Sequence, residues 1–369
     1  MRKRANLRMD GLFLLCLIIL IVTGLVVLFS ASQPAGVQRF GDGNYFIKRQ
    51  ILYGLLPGLI FATAIFYLGL ERLKKLTWVI YIFSIVLLAL VFVPGIGVTI
   101  NHSRSWLSLF GFGFQPAEFA KLAVVCALAA MLSRPKYNWF EWQTGILPAL
   151  AILGPILLLV ALQPDFGTLV IIGGEILGVL IIANIPRNQL MTLFVVGLVG
   201  AVIFIFAGSG YRLRRIEVFL HPEKYPVESY QVNQAFVAAG SGGLTGFGLW
   251  NSRQKYQYLP EASADTIFAI LAEELGFWGA SLMIVLILLL VMRGLKISKW
   301  STDQYGSLLA AGIMIWFGWQ SFLNIGSTVG AIPLTGVPLP FVSHGGSALA
   351  MAIGAAACVL IVSKETNHH

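Results

Sequence analysis

The chain has 369 residues, of which 57% are hydrophobic and only 11% charged, with a mean hydropathy of +0.83. That composition excludes a soluble globular protein and points to a polytopic helical membrane protein. The net charge of +9 is dispersed among short loops, the pattern of membrane topology, and no nucleic-acid-binding module accompanies it, so nucleic acid is not expected as a partner.

Apolar runs long enough to cross about 30 Å of hydrocarbon recur along the chain. They predict ten transmembrane helices, at about 11–31, 50–69, 76–95, 116–133, 145–162, 168–185, 189–207, 267–292, 304–326 and 346–363. The expected fold is an all-α polytopic membrane protein, a single integral membrane domain over 1–369. The first run follows Met1-Arg-Lys-Arg4 without a small-residue cleavage site, so it reads as a retained helix. Cys16, Cys126 and Cys358 fall inside apolar runs without metal-ligand spacing and read as buried thiols.

An even number of crossings puts both termini on one side. With that side cytoplasmic, the inside segments carry fourteen lysines and arginines, from Arg2 to Lys364, against Arg39, Lys48, Arg49 and Arg104 in the short outside loops. The positive-inside rule favours this orientation, with both termini cytoplasmic. Residues 209–266, between the seventh and eighth helices, then form a large extracytoplasmic loop. They hold Tyr211-Arg-Leu-Arg-Arg215, the glycine-rich Ala239-Gly-Ser-Gly-Gly-Leu-Thr-Gly-Phe-Gly248 and Leu259-Pro-Glu-Ala-Ser-Ala-Asp265. No Walker or Rossmann glycine motif occurs, so no nucleotide is expected as a cofactor.

Several polar groups stand where hydrocarbon makes them expensive. Glu118 and Lys121 share a face of the fourth helix, opened by Gln115 and Pro116, and read either as a self-neutralising structural pair or as the lining of a polar cavity. Asp165, in the turn Gln163-Pro-Asp-Phe-Gly-Thr168, fits a helix cap or a site. Glu175 either bonds a neighbouring helix or lines a pathway. Glu273 and Glu274 are adjacent on a helix and so face different ways, one toward a site and the other toward a neighbour. Three prolines and four glycines between Gly330 and Gly346 forbid a regular helix, and such backbone at membrane depth is buried in protein or lines a wet cavity.

Seven stretches in register resemble the shape, elongation, division and sporulation family of bacterial membrane proteins, to which RodA and FtsW belong. They are Phe29-Ser-Ala-Ser32, Arg104-Ser-Trp106, Phe114-Gln-Pro-Ala-Glu-Phe-Ala-Lys121, Gln163-Pro-Asp-Phe-Gly-Thr168, Tyr258-Leu-Pro-Glu261, Ala272-Glu-Glu-Leu-Gly276 and Pro338-Leu-Pro-Phe-Val-Ser-His-Gly-Gly-Ser347. The resemblance spans nearly the whole chain. It implies a ten-helix peptidoglycan glycosyltransferase of the bacterial cytoplasmic membrane that polymerises lipid II and works with a class B penicillin-binding transpeptidase. It further implies that Asp265 is the catalytic residue and that Glu118, Lys121 and Asp165 belong to the functional core. Two departures stand out: Ser263 and Ala264 replace the usual histidine and threonine before that aspartate, and His344 stands where tyrosine is commoner.

Joining two lipid II heads turns an α-linked sugar phosphate into a β-1,4 bond, a single inverting displacement. A carboxylate accepts the proton of the attacking 4-hydroxyl, and Asp265 is the candidate base; from the residues alone, it fits a helix N-cap equally well. The departing lipid diphosphate needs positive charge, from a divalent cation such as Mg or Mn or from Lys121, Arg104, Arg212, Arg214, Arg215, Arg253 or Lys255. Trp106 reads as a sugar platform or an interface anchor, and the glycine-rich run as a phosphate cradle, a flexible stretch or a close-packing element. Gln115, Glu261, Glu273, Ser343, Gly345 and Gly346 complete the candidate residues for substrate binding or the structural core of the site. The competing readings are a flippase for the same lipid and a non-catalytic scaffold.

Overall fold

The computed structural model describes residues 9–100, 103–109, 112–134, 141, 145–206 and 210–365. Arg2, Lys3, Arg4, Arg8 and Lys136, which support the orientation argument above, lie outside the described residues. Helix α1 (Gly11–Phe40) opens where the Asp10 carboxylate accepts a hydrogen bond from the Phe13 amide at 2.9 Å. It runs nine residues past the expected end at 31, because neither Ser32 nor Pro34 stops it and the left-handed Gly41 does. The Phe29-Ser-Ala-Ser32 stretch is therefore helical, with Ser30, Ala31 and Ser32 buried.

Helices α2 (Tyr45–Gln50) and α3 (Leu56–Leu90) are joined by a single π turn, Ile51–Leu55. The expected loop between the second and third crossings is one residue, Gly69, whose φ of 70° and ψ of 168° break α3 without leaving it. Residues 97–114, expected as a plain loop, hold a small antiparallel sheet: β1 (Gly97–Ile100), β2 (Ser103–Leu109) and β3 (Phe112–Phe114), with Val98 opposite Trp106 and Leu107 opposite Phe114. Helices α4 (Pro116–Leu132), α5 (Leu147–Leu162), α6 (Phe166–Ile182) and α7 (Arg187–Phe206) follow. The polar segment after α7 folds into α8 (Tyr211–Leu220) and α9 (Tyr230–Ser241) before α10 (Ile267–Trp300), α11 (Gln304–Thr328) and α12 (Gly346–Lys364).

Among the described residues, six helical spans are long and apolar enough to cross a membrane, and α5 and α6 are shorter but equally apolar. The chain is a multi-pass membrane protein, its outer helix faces clad in exposed leucine, valine, isoleucine and phenylalanine. Helix α4 is almost wholly buried at the centre, with α3, α6 and α11 packed round it. Small residues let backbones approach: a Cβ on Gly312 of α11 would lie 2.5 Å from Val125 of α4. At one end of the bundle, the Asp10 carboxylate pairs with Arg293 at 2.7 Å and its backbone amide donates to the Ser363 hydroxyl oxygen, while Lys74 pairs with Asp303.

The glycine-rich run packs instead of cradling an anion. A Cβ on Gly246 would sit 2.1 Å from the Glu274 carbonyl oxygen, and one on Gly276 2.3 Å from the Gly246 nitrogen; both glycines have positive φ. Gly276→Ala is expected to lower the thermal unfolding midpoint in detergent, because a side chain at φ 65° and ψ −168° costs about 1–3 kcal/mol before the backbone contact is counted. Gly154→Ala, which meets nothing within 4 Å, should leave the midpoint unlowered.

Candidate active site

At the end of the bundle away from Asp10, the loops and helix starts enclose a cavity of about 930 Å³. Its wall is made by β2, the starts of α4, α6 and α12, the end of α11, Arg215 on α8, Glu261 to Asp265, and the irregular segment 332–338. The expected proline and glycine break is thus met in both ways: Val337, Leu339, Phe341 and Val342 are buried, and their neighbours face the cavity. One side is apolar, formed by Val170 and Ile171 of α6 and Trp319, Phe322 and Leu323 of α11.

Asp265 lies half-buried on this wall. It is not a helix cap: α10 is capped by the backbone at Thr266, and among the described residues the Asp265 carboxylate accepts no hydrogen bond. Its position comes from three consecutive carbonyls, each gripped by a donor distant in the chain. The His344 amide donates to Ser263 at 2.8 Å, the Ser343 hydroxyl to Ala264 at 2.6 Å, and the Asn324 side-chain amide to Asp265 at 2.8 Å. Asn324 also donates to the Val337 carbonyl at 2.8 Å, so the same side chain ties Asp265 to the irregular segment. A Cβ on Gly336 would lie 3.5 Å from Asp265 Oδ2 and 4.0 Å from Arg215 Nη1, so carboxylate and guanidinium flank one glycine. Burial, then the nearby Glu261 carboxylate, push the Asp265 pKa up to about 6, with Arg215 opposing and Asp165 adding.

Asp165 plays both roles considered for it: Oδ1 caps α6 through the Thr168 amide at 3.0 Å, while Oδ2 accepts from Gln115 at 3.2 Å, and both residues line the cavity. Trp106, Glu261, Gly345 and Gly346 line it too. Glu118 reaches the cavity floor, held by Lys121 at 2.8 Å. Lys121 itself is sealed beneath, between Glu118, Gln320 at 2.8 Å and the Trp316 ring at 4.8 Å, and cannot touch a ligand.

Other candidates sit elsewhere. Arg104 braces the sheet to the end of α3 by donating to the Val93 carbonyl. Lys255 is buried against Glu274 at 2.9 Å and the Ser30 hydroxyl, and Glu273 accepts from the Ser252 hydroxyl and the Arg253 amide; all of these pin residues 250–255 to α10 and α1. Neither Glu273 nor Glu274 faces the cavity, because each is consumed by this loop. Ser343 is a strut, donating to Ala264 and accepting from Leu339. Arg214 pairs with Glu228 and Glu217, and Arg253 covers Phe247. The Arg212 side chain lies outside the described residues. Glu175, on α6, is fully buried, and neither of its carboxylate oxygens has a hydrogen-bond partner among the described residues. Gly336, Trp319 and Arg49 line the cavity, and Asn324 ties Asp265 to it, although sequence reading did not single them out as site residues.

Residues 10–368 match the FtsW/RodA/SpoVE family of cell cycle proteins. The chain belongs to this family. It is 37% identical to the stage V sporulation protein E of Bacillus subtilis over 97% of this chain and 98% of the relative. It is 39% identical to a probable peptidoglycan glycosyltransferase FtsW of Dichelobacter nodosus over 96% and 89%. Two solved structures share the fold: Thermus thermophilus RodA, at 27% identity, TM-score 0.72 and 99% of both chains, and a chain of a peptidoglycan synthase complex that coordinates polymerization and crosslinking, at 27% identity, TM-score 0.77 and 96% and 97%.

The floor supplies a stability test. Lys121→Met leaves Glu118 buried without its cation and should destabilise the fold by about 3–5 kcal/mol, read by thermal melting in detergent. Adding Glu118→Gln removes the stranded charge and should recover most of the loss.

Proposed function

We propose that this chain polymerises lipid II in the cavity, with Asp265 as general base. It is a glycosyltransferase of cell-wall synthesis, the role its family relatives carry. The observation that supports the mechanism is a carboxylate that accepts no hydrogen bond among the described residues, raised to a pKa of about 6, beside a guanidinium on the wall of a cavity with one apolar side. Asp265 takes the proton of the acceptor 4-hydroxyl as its oxygen attacks the anomeric carbon of the donor. The anomeric carbon–oxygen bond breaks, and the lipid diphosphate departs with the electron pair toward Arg215. Trp106 offers a face for a sugar, and the α6 and α11 side accommodates polyprenyl.

Ten crossings with cytoplasmic termini in the bacterial cytoplasmic membrane put this cavity on the outer face, with Asp265 at the end of the extracytoplasmic segment 209–266. The basic residues Lys74, Arg293 and Lys364 near the opposite end support that orientation. A class B penicillin-binding transpeptidase is the partner, a reading supported by the crosslinking complex to which the similar chain belongs. A flippase needs a passage through the bundle; Lys121, Gln320 and Trp316 close the floor beneath Glu118, which favours chemistry at one face.

Asp265→Asn should cut polymer formation from labelled lipid II by at least about 100-fold; retained synthesis would remove Asp265 as the base. Because the base works ionised and its pKa is raised, the rate should climb as pH rises through about 6 and be lost below it. Glu261→Gln removes the largest charge holding that pKa up and should move the midpoint to lower pH.

A divalent cation, Mg or Mn, would take one or two carboxylates of the site and the substrate phosphates as its ligands. Asp165 and Glu261, both close enough to act on Asp265, are the residues that would hold it, and it would supply charge to the diphosphate. Chelation should then lower the polymerisation rate and added Mg or Mn restore it; an unchanged rate would leave that charge to Arg215.

A further inference from the structure

A second cation on the cavity wall has no part in the chemistry above. Arg49 of α2 is half-buried and lines the cavity together with Tyr53. Its Nη1 donates to the Tyr45 hydroxyl at 2.8 Å, and its guanidinium carbon lies 5.5 Å and 5.2 Å from the Tyr45 and Tyr53 ring centres. Among the described residues it has no carboxylate partner. Its neighbour Lys48 is paired with Asp42, and the buried Lys121 and Lys255 are paired with Glu118 and Glu274. A guanidinium held against aromatic rings keeps its charge and donors for a planar, multidentate anion.

The start of α12 meets it there. A Cβ on Gly346 would lie 3.0 Å from the Tyr53 carbonyl oxygen, so the helix start is pressed against the π turn that follows α2. Gly345 caps α12 without a side chain, and both glycines face the cavity, which leaves the positive helix end open to it. His344 adds no charge, since burial and Arg49 hold its imidazole down to about 4. Arg49 and Arg215 stand on different elements of the wall, Arg49 on α2 and Arg215 on α8, where it flanks Gly336 together with Asp265.

The chemistry of the joining reaction supplies an occupant. The donor diphosphate leaves from the carbon under attack, so it lies beside Asp265 and Arg215. The acceptor keeps its diphosphate, attached a whole disaccharide away from the hydroxyl that attacks. We propose that Arg49 and the first turn of α12 bind the diphosphate of the acceptor lipid, so that two cationic subsites tell chemically alike lipid heads apart. This assignment rests on the polymerase reading given above.

The full-length protein is assayed with a labelled donor whose own 4-hydroxyl is blocked, and with lipid II as acceptor. Arg49→Gln should raise the acceptor KM about 10-fold or more, the loss of one charge-assisted contact, with kcat changed less than about twofold, because the contact is made equally in ground and transition states. Arg49→Lys should fall between. With a disaccharide-pentapeptide methyl glycoside that lacks diphosphate as acceptor, wild type and Arg49→Gln should have equal KM. Wild type alone should show a KM for that acceptor at least about 10-fold above its own KM for lipid II, a comparison that needs no variant. A kcat loss at constant KM, or a penalty that persists with the diphosphate-free acceptor, would overturn the assignment. Wild type that forms no glycan with any acceptor would instead overturn the polymerase reading.

Discussion

Three neighbouring backbone carbonyls, at Ser263, Ala264 and Asp265, are each held by a donor from the far end of the chain. Everything about the cavity depends on that grip. The stretch before α10 carries no helix of its own and no side-chain cap; local bonds from Ala264 and Thr266 to Glu261 turn it, and His344, Ser343 and Asn324 anchor that turn to the far end of the chain. Ser343 and Asn324 each spend a second contact on the 337–339 backbone, at Leu339 and Val337. One set of bonds thus fixes both the carboxylate and the facing wall, which is the preorganisation an electrostatic mechanism needs.

Below this layer the bundle is closed by a second polar unit. Glu118, Lys121, Gln320 and the Pro338 carbonyl form a chain of contacts from α4 through α11 to the irregular segment. The ion pair neutralises itself in a place where either charge alone would be costly, and Trp316 covers it. Its Glu118 end is wet and its Lys121 end is dry, which is how one pair serves as both cavity floor and core. Glu273 and Glu274 do comparable structural work elsewhere, fastening residues 250–255 to α10.

Much of this was legible in the residues themselves. Proline and glycine spacing marked the irregular segment before α12, Asp165 stood at a helix start, and helical spacing joined Glu118 to Lys121. What escaped were features decided by partners remote in sequence or by a single backbone angle. Lys255 reads as a free cation until Glu274 and Ser30 are found against it, and Ser30 is 225 residues away. Gly69 separates two crossings with one positive φ, where a polar loop was expected from Glu71 to Lys75. The sheet at 97–114 is short, and its alternation of polar and apolar residues was hidden among loop residues. Asn324 looks like any helix-ending residue; only the fold brings Asp265 and Val337 to its amide.

Site geometry and family membership meet in a claim about one atom pair. The most direct measurement is the structure of this chain bound to an unreactive lipid-linked disaccharide acceptor. The account predicts the acceptor 4-hydroxyl within hydrogen-bond reach of Asp265, about 2.6–3.2 Å, with polyprenyl along the α6 and α11 side. A 4-hydroxyl seated away from Asp265, with another side chain at that distance, would contradict it.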